Sequence, residues 1–355
     1  LGANTTADAN TACGFRALMS NTTGTLNTAA GAYALDANTT GDHNVAIGNN
    51  SLGANTTGAA NVAIGDRALQ TNTGSNNIVA VGYKALELNT ATSNTACGSN
   101  ALDANTTGTQ NNAFGHNALG SNTTASYNNA FGEQSLANNT TGSDNNAFGH
   151  RTLQLNTTGT LNTAVGGNAL DANTTGSSNV AVGNNALGAN TTANDNTAIG
   201  FKALSANSTG ARNTALGSYA LDSNTTAHDN IAIGYNALYT NTGLSYQVAI
   251  GRNALYYSAT SGVNVAIGYQ AMEQATSGHE SVAVGYQSGM RITTAGNNTL
   301  VGYLSGDQIT TGSNNTCIGH DVASHDTNLT LSLIHISEPT RLLSIAYAVV
   351  CLKKK

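Results

Sequence analysis

The stretch Asn111–Leu161, NNAFGHNALGSNTTASYNNAFGEQSLANNTTGSDNNAFGHRTLQLNTTGTL, repeats one phrase three times, with NNAFG returning every 17 residues. Working outward, the same phrase, N-[TVN]-A-[IVF]-G-x-x-[AS]-L-x-x-N-T-T-G-x-x, fits the chain from Asn10 to about Asn315. One unit, Ile78 to Ser93, is a residue short. With Asn10 as position 1, position 5 is Gly in every unit from Gly14 to Gly319, and position 3 is Ala until Leu300 and Cys317 replace it. Positions 6, 7, 10, 16 and 17 vary freely, as turn or outward positions do. A period this short excludes helical-pair repeats, which need roughly 33–47 residues, and predicts an all-β fold, a parallel β-solenoid with 17-residue coils. The V-A-I segment reads as a strand, Gly at position 5 as a corner, and NTTG as a second turn. With strands ~4.8 Å apart, the coils are expected to build a stiff segment on the order of 90 Å long.

Composition agrees with that reading. Only 8% of the 355 residues are charged and 5% aromatic, Trp is absent and Gly numbers 40, so burial must come from small side chains packed repeatedly. The net charge is −6 and the 12 Lys and Arg are scattered apart from the terminal KKK, which argues against nucleic-acid binding. The longest apolar run, near LLSIAYAVVCL, is too short to span a bilayer, so no direct membrane insertion is expected. Leu1 falls partway through a unit, and the expectation is that the natural chain starts earlier.

Side chains alternate along a strand, so position 3 points opposite to positions 2 and 4. Ala at position 3 and Leu at position 9 (Leu18, Leu35, Leu52, Leu69 and successors) are expected inside. Position 4 varies too widely in volume for a narrow interior and is expected outside: Ile47, Ile64, Val81, Phe114, Phe131, Phe148, Val165, Val182, Ile199, Ile233, Ile250 and Ile267. Such an apolar file in water predicts cover by another chain, hence a homo-oligomer. NNAFG then recurs because each copy adds a rung, the three Phe stacking as one aromatic layer at the seam.

The Asn of position 12 can be read in two ways. Asn21, Asn38, Asn55, Asn72, Asn89, Asn105, Asn122, Asn139, Asn156, Asn173, Asn190, Asn207, Asn224 and Asn241 can form an amide ladder from coil to coil. Alternatively, NTT is an N-glycosylation sequon.

The phrases NVAIGNNSL, NVAIGDRAL, NVAVGNNAL, NIAIGYNAL and NVAIGYQAM resemble head repeats of trimeric autotransporter adhesins and similar repeats of phage-type tail-fibre shafts. The resemblance spans Asn10 to about His320. It implies a left-handed parallel β-roll, three rolls associating, and the Val and Ile positions meeting at the trimer centre. The regular NTTG turn departs from the family pattern, and no neck, coiled-coil stalk or membrane anchor is visible in the sequence.

Three segments follow. Residues 1–257 are the regular solenoid. In 258–326 the coils diverge, position 12 becoming Ser258, Ala275, Ile292 and Ile309 while Tyr256, Tyr257, Tyr269, Tyr286 and Tyr303 accumulate, which reads as a capping zone or a ligand-facing tip. Residues 327–355, with the only Pro, Pro339, break the period and resemble translated sequencing-adapter read-through, an assembly artefact.

Little reads as catalytic chemistry. Cys13 and Cys97 hold position 4, Cys317 holds position 3 and Cys351 lies in the tail, without zinc or disulfide spacing. His116, His150 and His320 share a turn position, and Asp36, Asp103, Asp171 and Asp222 at position 10 read as exposed turn caps. Neither a nucleophile elbow nor a phosphate-binding loop is present. The expectation is a protein that is not an enzyme, with no cofactor and no metal: a structural and adhesive fibre, extracellular, on a cell surface or virion, facing a glycan or protein receptor. The alternative is a soluble ice-binding solenoid using Thr and Asn columns (Thr22 and Thr23, Thr39 and Thr40, Thr56 and Thr57), although adjacent Thr on a strand point to opposite faces.

Overall fold

The structure is a computed structural model that describes residues 2–258 and 262–322. Expectations for 327–355, including Pro339 and Cys351, lie outside those residues. The chain divides into two compact units, Leu1–Asn179 and Val180–Lys355. The first holds ten three-residue strands, from β1 (Thr11–Cys13) to β10 (Thr163–Val165). The second holds nine, from β11 (Val180–Val182) to β19 (Thr316–Ile318). Within each unit every strand pairs in parallel with the next at the same repeat position, as in Ala29↔Ala46, Phe114↔Phe131 and Ala232↔Ala249. The fold is an all-β, parallel solenoid of 17-residue coils, with no helix among the described residues. The short coil falls where the sequence places it, Val79 of β5 (Val79–Val81) pairing with Thr95 of β6 (Thr95–Cys97).

Strand makes up little of each coil; the remainder is turn, held by bonds between coils. The Gly of position 5 leaves the strand at φ near +135°, and a Cβ on Gly115 would lie 2.5 Å from the Gly132 carbonyl oxygen. Two independent reasons, conformation and close approach, therefore exclude side chains from that column. Positions 7, 9 and 17 are also left-handed, as at Tyr33 (φ 59°), Leu35 (φ 50°) and Leu26 (φ 58°). Each of their N–H groups donates to a neighbouring coil: Tyr33 to Phe15, Leu35 to Ser51, Leu26 to Asp8. The left-handed turns thus aim backbone donors along the stacking direction, offsetting the ~1–2 kcal/mol that a non-Gly residue loses there.

The interior has the expected apolar members. Ala at position 3 and Leu at position 9 are buried, joined by the small residue of position 8, such as Ala34, Ser51 or Thr152. The core is otherwise amide, since the Asn of positions 1 and 12 are buried as well. Near the C-terminal end of the described residues the packing is exchanged. Gly289 and Gly306 replace the position 9 Leu, and ideal Cβ atoms there would meet Leu300 Cδ1 at 2.7 Å and Leu300 Cδ2 at 2.8 Å. Leu300, in place of Ala, fills the vacated volume with Ile292 and Ile309, which stand where Asn stood. Divergence in 289–309 is in this respect a compensated core.

Candidate functional site

A three-residue strand exposes two side chains and buries one, and the position 4 file lies on the outer face throughout. Ile47, Ile64, Phe114, Phe148, Val165 and Ile199 are exposed, between 36% and 41%. Val81, Phe131, Val182, Ile233, Ile250 and Ile267 are half-buried by their neighbours in the file, and none is in the core. Phe114, Phe131 and Phe148 stack face to face, with centroids 4.7 and 4.9 Å apart. Beside them Asn112 donates to Asn129 and Asn129 to Asn146, each at 2.8 Å. Those bonds give the run of Asn at position 2 a role that the sequence reading lacked: a second, outer amide ladder on the strand face. Cys13 and Cys97 are exposed in the position 4 file, whereas Cys317 is buried and its thiol is pushed up to about 11 by desolvation.

The position 12 residues form amide ladders. Asn38 Nδ2 donates to Asn21 Oδ1 at 2.8 Å and to the carbonyl of Gly41 at 3.0 Å, and the same double bond recurs along Asn55 and Asn72. The ladder resumes as Asn89, Asn105, Asn122, Asn139, Asn156 and Asn173, and in the second unit as Asn190, Asn207 and Asn224. Two rungs differ from expectation. Asn89, in the shortened coil, turns to Ala91. Asn241 closes on Leu244 in both directions, leaving Asn224 Oδ1 without a partner. The turn there reads NTGL instead of NTTG, and the altered corner also leaves Asn230 Nδ2 unpaired.

Sequence reasoning missed a second buried column. Position 1 Asn donates its Nδ2 to the position 15 carbonyl of its own unit, as Asn27 to Gly41 at 2.8 Å, and accepts the backbone N–H of the Asn that opens the next unit, as from Asn44 at 2.9 Å. Both Asn columns therefore converge on one carbonyl per coil, here that of Gly41. The signal was present, since Asn opens almost every unit; it was read as part of the strand phrase. The ladder also decides against the sequon: glycan attachment uses Asn Nδ2, and the position 12 residues are fully buried with that atom donating inward.

Two further expectations change. NTTG is a bend, so the two Thr do not alternate: position 12 faces in, the position 13 hydroxyl donates to the next coil, as Thr22 to the Thr39 carbonyl at 3.0 Å, and position 14 is exposed. The position 10 Asp are half-buried, not exposed caps. Desolvation raises the carboxyls of Asp36, Asp103 and Asp171, and Asp222 accepts a short bond from Ser205. His116, His150 and His320 are exposed. Among the described residues no three His, Cys, Asp or Glu side chains gather as metal ligands.

The accumulated aromatics are ordered. At position 6, Tyr269, Tyr286, Tyr303 and His320 stack at centroid spacings of 5.1, 5.1 and 4.9 Å. The column extends backward because Arg252 lies over both the Tyr235 and Tyr269 rings, at 5.7 and 6.0 Å. No protein-family profile and no curated protein matches the sequence. No helix among the described residues is long and apolar enough to cross a membrane.

Proposed function

We propose that the chain is a segment of a structural, adhesive fibre in which several copies, three by the repeat resemblance, associate through the position 4 file. One observation supports this best: within each unit, from Ile47 onward, position 4 places Ile, Val, Phe or Leu on the outer strand face in every coil except that of Cys97, beside the Thr, Val, Ile and Asn of position 2. Apolar surface gains about 25 cal/mol for each Å² removed from water, so a file extended coil after coil favours association far more than a scattered hydrophobe does. In this reading the fibre is extracellular, on a cell or virion, and holds a receptor-binding surface away from its base.

Sedimentation of the purified chain tests the reading, the expected result being a trimer. Phe131→Asp, which places a charge in the middle of the stacked rings, is expected to dissociate it while leaving circular dichroism unchanged. The Cys97 thiol, located by peptide mapping after maleimide treatment, should react at least about tenfold faster in the dissociated variant, because burial in a seam removes reagent access. A folded monomer at every concentration overturns the proposal. The ice-binding alternative draws on the exposed position 14 Thr, but the position 13 hydroxyls are already bonded to carbonyls, which leaves single file where a paired array is needed. Thermal hysteresis from a monomer would favour it instead.

A further inference from the structure

In the second unit five residues from consecutive coils line an open surface cleft of about 280 Å³: Tyr219, Tyr235, Asn236, Tyr239 and Tyr256. The walls are fixed by ring-on-ring contacts. Tyr219 stands edge-on to Tyr235, 6.2 Å and 87° away, and to Tyr239, 6.2 Å and 69° away. Tyr239 and Tyr256 lie parallel, 5.2 Å apart. Behind them Phe201 packs on Tyr219 and Tyr257 on Tyr256, so the rings are braced from both sides. The four phenol hydroxyls and the Asn236 carboxamide make no hydrogen bond to the protein among the described residues, although amides and hydroxyls are paired along most of the coils. No charged side chain lines the cleft.

We propose that this cleft is a carbohydrate subsite that takes one pyranose ring of a glycan. A pyranose has an apolar C–H face that packs on aromatic rings and an equatorial rim of hydroxyls that pairs with uncharged donors and acceptors, which is the set presented here. The volume lies just below the ~300–1,000 Å³ typical of sites for drug-sized ligands, which suits a single ring. A quaternary ammonium group fits less well, because Arg252 already occupies a face of Tyr235 and no carboxylate lines the cleft. A proline-rich peptide would need a longer aromatic groove than three adjacent coils, roughly 10 Å along the strand stacking, supply.

The inference rests on the adhesive reading above and assigns its ligand class. The test is saturation-transfer NMR on the full chain with methyl α-mannoside, methyl β-galactoside and methyl N-acetyl-β-glucosaminide, with tetramethylammonium and a proline-rich peptide as comparators. Transfer to the ring C–H protons of at least one glycoside is expected. It should fall at least about tenfold in Tyr239→Ala and in the gentler Asn236→Ala, and persist in Tyr286→Ala, which removes a ring outside the cleft. Absence of transfer to any glycoside, equal transfer in Tyr239→Ala, or transfer only to the cation or the peptide overturns the subsite. Sedimentation of the same samples separates the two proposals: a trimer that binds no glycoside refutes the subsite alone, and a monomer that binds one refutes the fibre alone.

Discussion

At the scale of the residue, the buried amides determine how well each coil holds to the next. Asn122 donates to Asn105 Oδ1 and to the Ala125 carbonyl and accepts from Asn139, so Asn122→Ala removes three bonds and leaves a buried acceptor unpaired. The expected loss is about 1–3 kcal/mol, measured by chemical denaturation, with Asn122→Asp at least as damaging because a carboxylate has no proton for Asn105. A second prediction concerns Asp103, whose carboxyl is raised above its ordinary value chiefly by desolvation. A raised folded value means that the folded chain binds the proton more readily than the unfolded chain. This contribution is present in full below the unfolded value near 3.9 and is lost as pH rises through the folded one. Asp103→Asn should therefore raise the melting temperature at pH 7 and flatten the gain in stability seen as wild type is taken toward pH 4. Asn at position 12 was legible because it recurs inside a turn motif, where a repeated polar residue needs an explanation. Asn at position 1 recurs as faithfully, but its place beside the strand phrase disguised it, and alternation along a strand does not fix where the residue before the strand points.

At the scale of the element, the strand and its corner were the most readable parts. Three residues with one small buried member and two variable outer ones leave a single face assignment, and the Gly that follows is dictated by both φ and the carbonyl of the next coil. The NTTG corner was less readable, since strand alternation was applied to what is a bend, and the two Thr consequently point differently from expectation. The exchange among Gly289, Leu300, Ile292 and Ile309 was visible only as scattered departures from the consensus; their compensation depends on contact between adjacent coils, which no single position reveals. Leu300→Ala should cost about 2–5 kcal/mol by leaving a cavity, and Gly289→Leu about 1–3 kcal/mol by overpacking. The double variant should be less destabilised than the sum of the two, because each change relieves the other. Thermal melting of the four proteins measures that coupling.

At the scale of the whole molecule, each strand among the described residues pairs only with its sequence neighbours, and no pairing between distant coils has to be preserved there. Stability in such an architecture is close to a sum of coil and nearest-neighbour contributions. Removing residues 128–144, one whole coil, should leave a folded protein with a slightly lower melting temperature, because Phe114 is then followed in register by Phe148. Removing residues 128–135 should be far worse, since it deletes Asn128 and Gly132 from their columns and throws Leu136 and Asn139 out of register. Circular dichroism and limited proteolysis distinguish the two deletions. The shortened coil between Val79 and Thr95 shows that even a one-residue slip is absorbed locally, with strand register restored on both sides. A gene encoding such coils can gain or shed multiples of 51 nucleotides by unequal recombination and still yield a folded product, so the number of coils can change between lineages without any compensating mutation.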